Sequence, residues 1–167
     1  MIMAELIFKD LSFEDNGNKV RINFLKIFYF DVDKSILEAI GDFKVSNHNI
    51  EFPDVGEKKA QRRFNMLLSE GFTRLKNKIN GKPSIYIHQN SGIPLIGTNY
   101  FGLIDRGTNI IEIKPITSCN SSCIYCSVDE GPSSRKKVDF VVEKDYLVEE
   151  LKKIVEFKQE DCIDAHI

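Results

Sequence analysis

The chain has 167 residues, enough for one good-sized core or two small ones, because domains usually contain about 100 to 150 residues. Hydrophobic residues make up 42% of the chain and charged residues 29%, so intrinsic disorder is not expected. The net charge of -2 excludes a global attraction to nucleic acid or an anionic membrane. Because the chain starts without a basic and apolar leader and has no long apolar stretch, the sequence predicts a cytoplasmic protein without a membrane partner.

The first part of the chain, residues 1–95, is predicted to be an α+β region of unknown role. Apolar and β-branched stretches from Glu5 to Phe30 flank Asn16 and Gly17, and this pattern predicts two antiparallel strands. An Asn-Gly step suits the positive backbone angles of a tight hairpin. The other elements predicted here are helices over 33–41 and 57–69 and strands over 43–52 and 84–88.

The second part, residues 96–167, changes to an order of strand, helix and strand. The elements predicted here are a strand pair over 100–105 and 109–114, a helix over 143–158 and a strand over 162–167. Leu147, Leu151 and Ile154 form an apolar stripe, as a crossover helix packed on a sheet requires. The sequence therefore predicts an α/β fold that begins with a βαβ unit of two parallel strands.

Polar and apolar residues alternate in both of the predicted parallel strands. Ile111 and Ile113 share one side of their strand, and Glu112 and Lys114 share the other. If the apolar side meets the helix, the polar side is expected to face the interior of a barrel or the far face of the sheet. A polar interior predicts a solvated cavity.

Three of the four cysteines fall within eight positions, with the spacing C-x3-C-x2-C directly after a predicted strand. In a chain without an export signal, such a cluster indicates metal ligation or redox chemistry and not a disulfide framework. Cys119, Cys123 and Cys126 could each hold one iron of a cubane cluster, whereas a cluster ligated only by protein takes four cysteines. One iron would then stay open as a Lewis acid for a cofactor or substrate.

At these residues the sequence resembles the radical S-adenosylmethionine (radical SAM) superfamily, whose signature is C-x3-C-x-aromatic-C after the first strand of a (β/α) barrel. Tyr125 fills the aromatic position. The stretch 102–131 also looks like uncharacterised archaeal members of that superfamily. The resemblance implies a [4Fe-4S] cluster on Cys119, Cys123 and Cys126, with S-adenosylmethionine on the fourth iron and Tyr125 beside its adenine. It also implies reductive cleavage of the cofactor to a 5′-deoxyadenosyl radical, which abstracts hydrogen from a substrate.

The same resemblance implies that part of the family domain is missing from this chain. Family barrels have further strands and a Gly-Glu-Pro type element just beyond the second strand, whereas this chain ends at Ile167. The expected architecture is therefore an N-terminal α+β region followed by the first βαβ unit of an incomplete radical SAM (β/α) barrel. Such a fragment is expected to be too short for activity alone, unless a second chain completes the barrel. Substrate, electron donor, oligomeric state and catalytic residues are not assigned.

A structural zinc site is the alternative interpretation of the three cysteines. Zinc takes four tetrahedral ligands, so Cys162, His166 or another chain would have to supply the fourth. The sequence has no second C-x2-C pair, which favours the cluster. Taken alone, Cys162 is interpreted as a buried thiol, because free cysteine is among the most buried residue types.

An RNA-interacting module is the other alternative, suggested by four cations in the helix predicted over 57–69. No aromatic residue interleaves with these cations, which favours a solvated helix face, so nucleic acid is not expected as a partner. The four cations are Lys58, Lys59, Arg62 and Arg63.

Overall fold

The computed structural model describes residues 3–119, 121, 123–126, 128, 135–159 and 162–167. The chain divides into two compact units, Met1–Pro83 and Ser84–Ile167. The predicted division near residue 95 lies within the second of these units. Ile87 and Leu95 are buried in the core of the second unit, so the segment 84–95 belongs there.

The first unit contains two antiparallel sheets. One has the strand order β2-β3-β4-β7 and the other the order β1-β6-β5. Strands β2 and β3 form the predicted hairpin, and Gly17 in its turn has a φ of 72°. The elements are β1 (Ala4–Ile7), β2 (Leu11–Asn16), β3 (Lys19–Phe24), β4 (Phe28–Asp33), α1 (Lys34–Glu38), β5 (Lys44–Val45), β6 (Asn49–Phe52), α2 (Glu57–Phe72) and β7 (Lys76–Asn77).

Helix α2 covers the core of the first unit with one apolar face. Ala60, Phe64 and Leu68 are buried at intervals of four residues, as the predicted helical spacing requires. The ring of Phe64 is fully buried and lies 5.4 Å from the ring of Phe8 and 6.5 Å from that of Phe52. These aromatic contacts attach α2 to the strands, and its opposite face is left to solvent.

The second unit contains a two-stranded and a three-stranded sheet. Strand β8 pairs with β11 in parallel, and β10 pairs with β9 antiparallel and with β12 in parallel. Ile111, Leu147 and Ile154 are buried in one apolar cluster with Leu103, so the apolar stripe of α3 packs against the sheet that contains β9 and β10. The elements are β8 (Ser84–Ile87), a short 3-10 helix (Gln89–Ser91), β9 (Gly102–Asp105), β10 (Ile110–Lys114), β11 (Asp139–Val142), α3 (Lys144–Lys158) and β12 (Asp164–His166).

The predicted fold class, an α/β fold that starts a (β/α) barrel, is wrong. Among the described residues, six strand pairs are antiparallel and two are parallel, and strand residues outnumber helical residues. Strands β10 and β12, which precede and follow α3 in the chain, are parallel, but β10 also pairs antiparallel with β9. Strand β11 pairs with β8 in a separate sheet. The described strands therefore form four small sheets and no barrel.

The physical reason is that periodicity reports local structure but not the partner of each strand. Strand β11 lies between β10 and α3 in the chain, and no element was predicted there. The polar side of β10 consequently faces no barrel interior. Glu112 on that side forms ion pairs with Arg106 and Lys114. Within the described residues, no helix combines the length and apolarity needed to cross a bilayer.

Candidate metal centre

The three clustered cysteines lie on a long connection between β10 and β11, which we call the cysteine loop (residues 118–138). Its two ends are held side by side by the backbone. The Thr117 amide donates a hydrogen bond to the Phe140 carbonyl at 3.0 Å, and the Val142 amide donates to the Pro115 carbonyl at 2.8 Å. The Phe140 amide also donates to Thr117 Oγ1 at 2.8 Å. The loop therefore leaves and rejoins the unit at one place.

A buried carboxylate reinforces this closure. Asp139 is fully buried, and its Oδ2 atom accepts a hydrogen bond of 2.7 Å from the hydroxyl of Ser118. Its Oδ1 atom lies 2.8 Å from Nζ of Lys136, which also donates to the Thr117 carbonyl at 2.8 Å. Because a buried charge must be paired and hydrogen-bonded, these contacts depend on one another. Ser118 directly precedes Cys119, so Asp139 holds the first cysteine's neighbour against the far end of the loop.

The thiols are accessible from solvent. Cys119 and Cys123 are exposed, Cys126 is half-buried, and none of the four cysteines of the chain forms a disulfide. The Ser121 amide donates to Cys119 Sγ at 3.4 Å, and the Cys126 amide donates to the Cys123 carbonyl at 3.2 Å. Asn120, Ser122, Ser127 and 129–134, which include part of the loop and of the stretch resembling archaeal proteins, lie outside the described residues.

The donor set fits an iron–sulfur cluster by chemistry, because thiolates are the ligands that hold such clusters. The described side chains, however, are not arranged around one centre as a cluster would require. Among the described residues, no three His, Cys, Asp or Glu side chains are gathered as a metal site. Binding would therefore have to bring the three sulfur atoms to one centre, and coupling of metal binding to local folding is common in proteins.

The residues considered for a zinc site are not gathered either. His166 is exposed on β12, and Cys162 just before that strand is exposed as well. The prediction that Cys162 is a buried thiol is therefore wrong. Its segment precedes a strand whose three residues are all exposed, so no core is available there to bury it.

Tyr125 projects from the loop into solvent. The residue is 85% exposed, so the described residues do not pack around the ring. The ring therefore does not serve as an aromatic anchor that packs the described part of the loop. An exposed ring next to Cys126 presents a flat surface on which an aromatic base can stack.

Comparison with known proteins found a relative that matches nearly the whole of this chain. No family model matches the chain. The chain is similar to the "Uncharacterized protein MJ0103" of Methanocaldococcus jannaschii, with 39% identity over 159 residues. The match covers 95% of this chain but 36% of the relative, so the chain spans about a third of the length of that curated protein. No solved structure matches the chain.

Sequence reasoning missed the anchor of the cysteine loop. Two signals were present in the sequence. Thr117 and Ser118 stand directly before the first cysteine, and Asp139 places a carboxylate at the start of an apolar run. Their meeting could not be predicted, because about twenty residues separate them and β11 itself was not predicted. Hydrogen bonds between such distant residues depend on the tertiary fold.

Proposed function

We propose that this chain is the iron–sulfur-binding part of a radical SAM protein. In this proposal Cys119, Cys123 and Cys126 ligate a [4Fe-4S] cluster, and S-adenosylmethionine is the cofactor. Together the two groups supply one-electron cleavage of the cofactor to methionine and a 5′-deoxyadenosyl radical, which takes a hydrogen atom from a substrate. The observation that carries the proposal is the C-x3-C-x2-C set of accessible thiols on a loop whose ends are tied together.

Residues in and next to the cysteine loop also support this proposal, because they order the loop or offer a surface to the cofactor. Asp139, Ser118 and Lys136 position the start of the loop, so the entropy lost when three ligands are ordered is smaller than in a free segment. Tyr125 supplies a ring for the adenine, one residue before the third ligand. A cytoplasmic location belongs to the same proposal, because a reducing compartment keeps the thiols free for iron.

Anaerobic reconstitution with iron and sulfide tests the proposal. The matched variants are Cys123→Ala, which removes a proposed ligand, and Cys162→Ala, which removes an exposed thiol outside the loop. We expect native protein and Cys162→Ala to bind iron and sulfide, and Cys123→Ala to lose most of both. Reduction should produce an EPR signal that changes when S-adenosylmethionine is added.

Two results would contradict the proposal in different ways. Zinc without inorganic sulfide, or equal iron in Cys123→Ala, would reject the cluster and leave a structural metal site. A cluster whose EPR signal ignores S-adenosylmethionine would retain the iron–sulfur assignment and remove the cofactor from this chain.

A further inference from the structure

The outer face of α2 carries a local concentration of positive charge. The exposed residues of this helix include Lys58, Lys59, Arg62 and Arg63, together with Met66, which is 67% exposed. We call these five residues the basic face. The chain as a whole has a net charge of -2, so the basic face is a local feature.

The basic face costs the helix stability. Lys58 and Arg62 are four residues apart, as are Lys59 and Arg63, and like charges at this spacing repel each other. Lys58 and Lys59 also lie in the first turn of α2, where the helix dipole disfavours positive charge. Within the described residues, Lys58, Lys59 and Arg62 form no ion pair that would offset this repulsion. An anionic ligand would remove the cost.

The shape of the basic face suits an extended ligand. Lys58, Arg62 and Met66 lie one above the other along the helix and separate two shallow depressions of about 720 and 580 Å³. Neighbouring residues of one ridge are about 6 Å apart, since each turn of four residues rises by that amount. Two cations at this interval, Lys58 and Arg62, can contact successive phosphates of one strand.

The larger depression also offers groups that hydrogen-bond neutral partners. Gln61, Asn65 and Ser69 line it beside Lys58 and Arg62, and Glu57 lines it at the start of the helix. The Gln61 side chain donates to Asn65 Oδ1 at 2.8 Å, and this hydrogen bond does not use the acceptor Oε1 of Gln61 or the donor Nδ2 of Asn65. Amide and hydroxyl groups beside cations match the base edges and 2′-hydroxyls of single-stranded RNA.

We propose that the basic face of α2 binds single-stranded RNA, mainly through its phosphates and with weak sequence preference. A membrane is a poorer partner, because Met66 is the one large apolar side chain on this face and surface-bound helices insert several. An acidic peptide would satisfy the cations but would make no use of the amide groups. This inference replaces the earlier interpretation of a merely solvated face and does not depend on the cluster.

Fluorescence anisotropy of a labelled 20-nucleotide oligo(U) RNA with the full chain tests this inference. The variant Lys58→Gln/Lys59→Gln/Arg62→Gln removes three cations and keeps Arg63, which donates to the Ala39 carbonyl. The control Lys9→Gln/Lys144→Gln/Lys152→Gln changes net charge equally at exposed residues elsewhere. If three phosphate contacts are lost, the slope of log K against log salt should become shallower by about 2 in the variant and stay unchanged in the control.

The inference also predicts an affinity and a stability change. At constant salt the basic-face variant should bind the RNA roughly tenfold more weakly or worse, while its thermal midpoint is equal to or above that of native protein because repulsion is relieved. Equal RNA affinity in variant and control would overturn the inference, as would binding of a poly-glutamate peptide or anionic phosphatidylglycerol vesicles without binding of the RNA.

Discussion

The ammonium group of Lys136 lies 2.8 Å from Oδ1 of Asp139, and the side chain of Asp139 is entirely shielded from solvent. This pair lies where the cysteine loop returns to the sheet. Through Ser118 and the Thr117 carbonyl, the same two side chains also contact the residues where the loop begins. The pair therefore links the two ends of the segment that carries the proposed cluster ligands.

Replacement of Asp139 tests the importance of this link. Asp139→Asn leaves the Lys136 ammonium, whose side chain is 12% exposed, without its charged partner. We expect the free energy of unfolding to fall by about 3 kcal/mol, because one partner of a buried pair is removed. Urea unfolding measures this change, and Lys153→Met in the exposed Lys153–Glu150 pair serves as a control with a change below about 1 kcal/mol.

A double variant separates the ion pair from a general loss of packing. If the pair acts as a unit, Asp139→Asn combined with Lys136→Met should cost less than the sum of the two single changes. Strictly additive effects would show that the two residues stabilise the loop independently.

Tyr125 is predicted to affect cofactor binding without affecting the fold. Its ring is almost fully exposed, so Tyr125→Ala should leave the thermal midpoint and the reconstituted iron content close to those of native protein. Loss of one aromatic stack should weaken S-adenosylmethionine binding by up to about tenfold. Calorimetric titration of reconstituted protein measures the affinity, and Tyr125→Phe should retain it. Loss of iron in Tyr125→Ala would assign the ring to the loop structure instead.

Gly102 and Gly107 form a matched pair for testing a close backbone approach. Both have positive φ values, 83° and 73°, but a Cβ at Gly102 would overlap the Leu95 carbonyl oxygen, whereas one at Gly107 would meet nothing within 4 Å. The Leu103 amide donates to that same carbonyl at 2.8 Å. We expect Gly102→Ala to destabilise the second unit by several kcal/mol and Gly107→Ala by about 1 kcal/mol, the cost of backbone strain alone. Equal losses in chemical denaturation would disprove the close approach.

The Arg21–Asp31 pair predicts how stability depends on pH in the first unit. Arg21 donates two hydrogen bonds to Asp31, at 2.8 and 3.1 Å, and these bonds hold the pKa of Asp31 below its ordinary value of 3.8. A carboxyl with a lowered native pKa stabilises the fold above its ordinary pKa, and this contribution is lost as the pH falls through the native pKa. Asp31→Asn should therefore cost about 1 kcal/mol near pH 7 and progressively less in strong acid.

Unfolding by urea at several pH values checks this dependence. Asp10→Asn is a suitable control, because Asp10 is exposed and forms no ion pair among the described residues. Its effect on the free energy of unfolding should stay small throughout. A deficit of Asp31→Asn that persists in acid would show that packing against Tyr29, over which the Arg21 guanidinium lies, matters more than the charge.

Local patterns in the sequence were sufficient for most of the secondary structure. The Asn16-Gly17 turn predicted the β2–β3 hairpin, and the helix predicted over 57–69 corresponds to α2, which buries Ala60, Phe64 and Leu68. These features depend on residues that are close together in the sequence, so a short segment is enough to predict them. The spacing of the three cysteines is equally local, and it remains the basis of the proposed cluster.

The tertiary structure decided which strands pair and what surrounds the cysteines. The short strand β11 pairs with β8, about fifty residues earlier in the chain, and this pairing excludes the predicted barrel among the described residues. The same pairing buries Asp139 beside Ser118 and Lys136. Periodicity in the sequence determines which face of an element is apolar, but strand partners and buried ion pairs depend on contacts between residues that are distant in the chain, and those contacts exist only in the folded state.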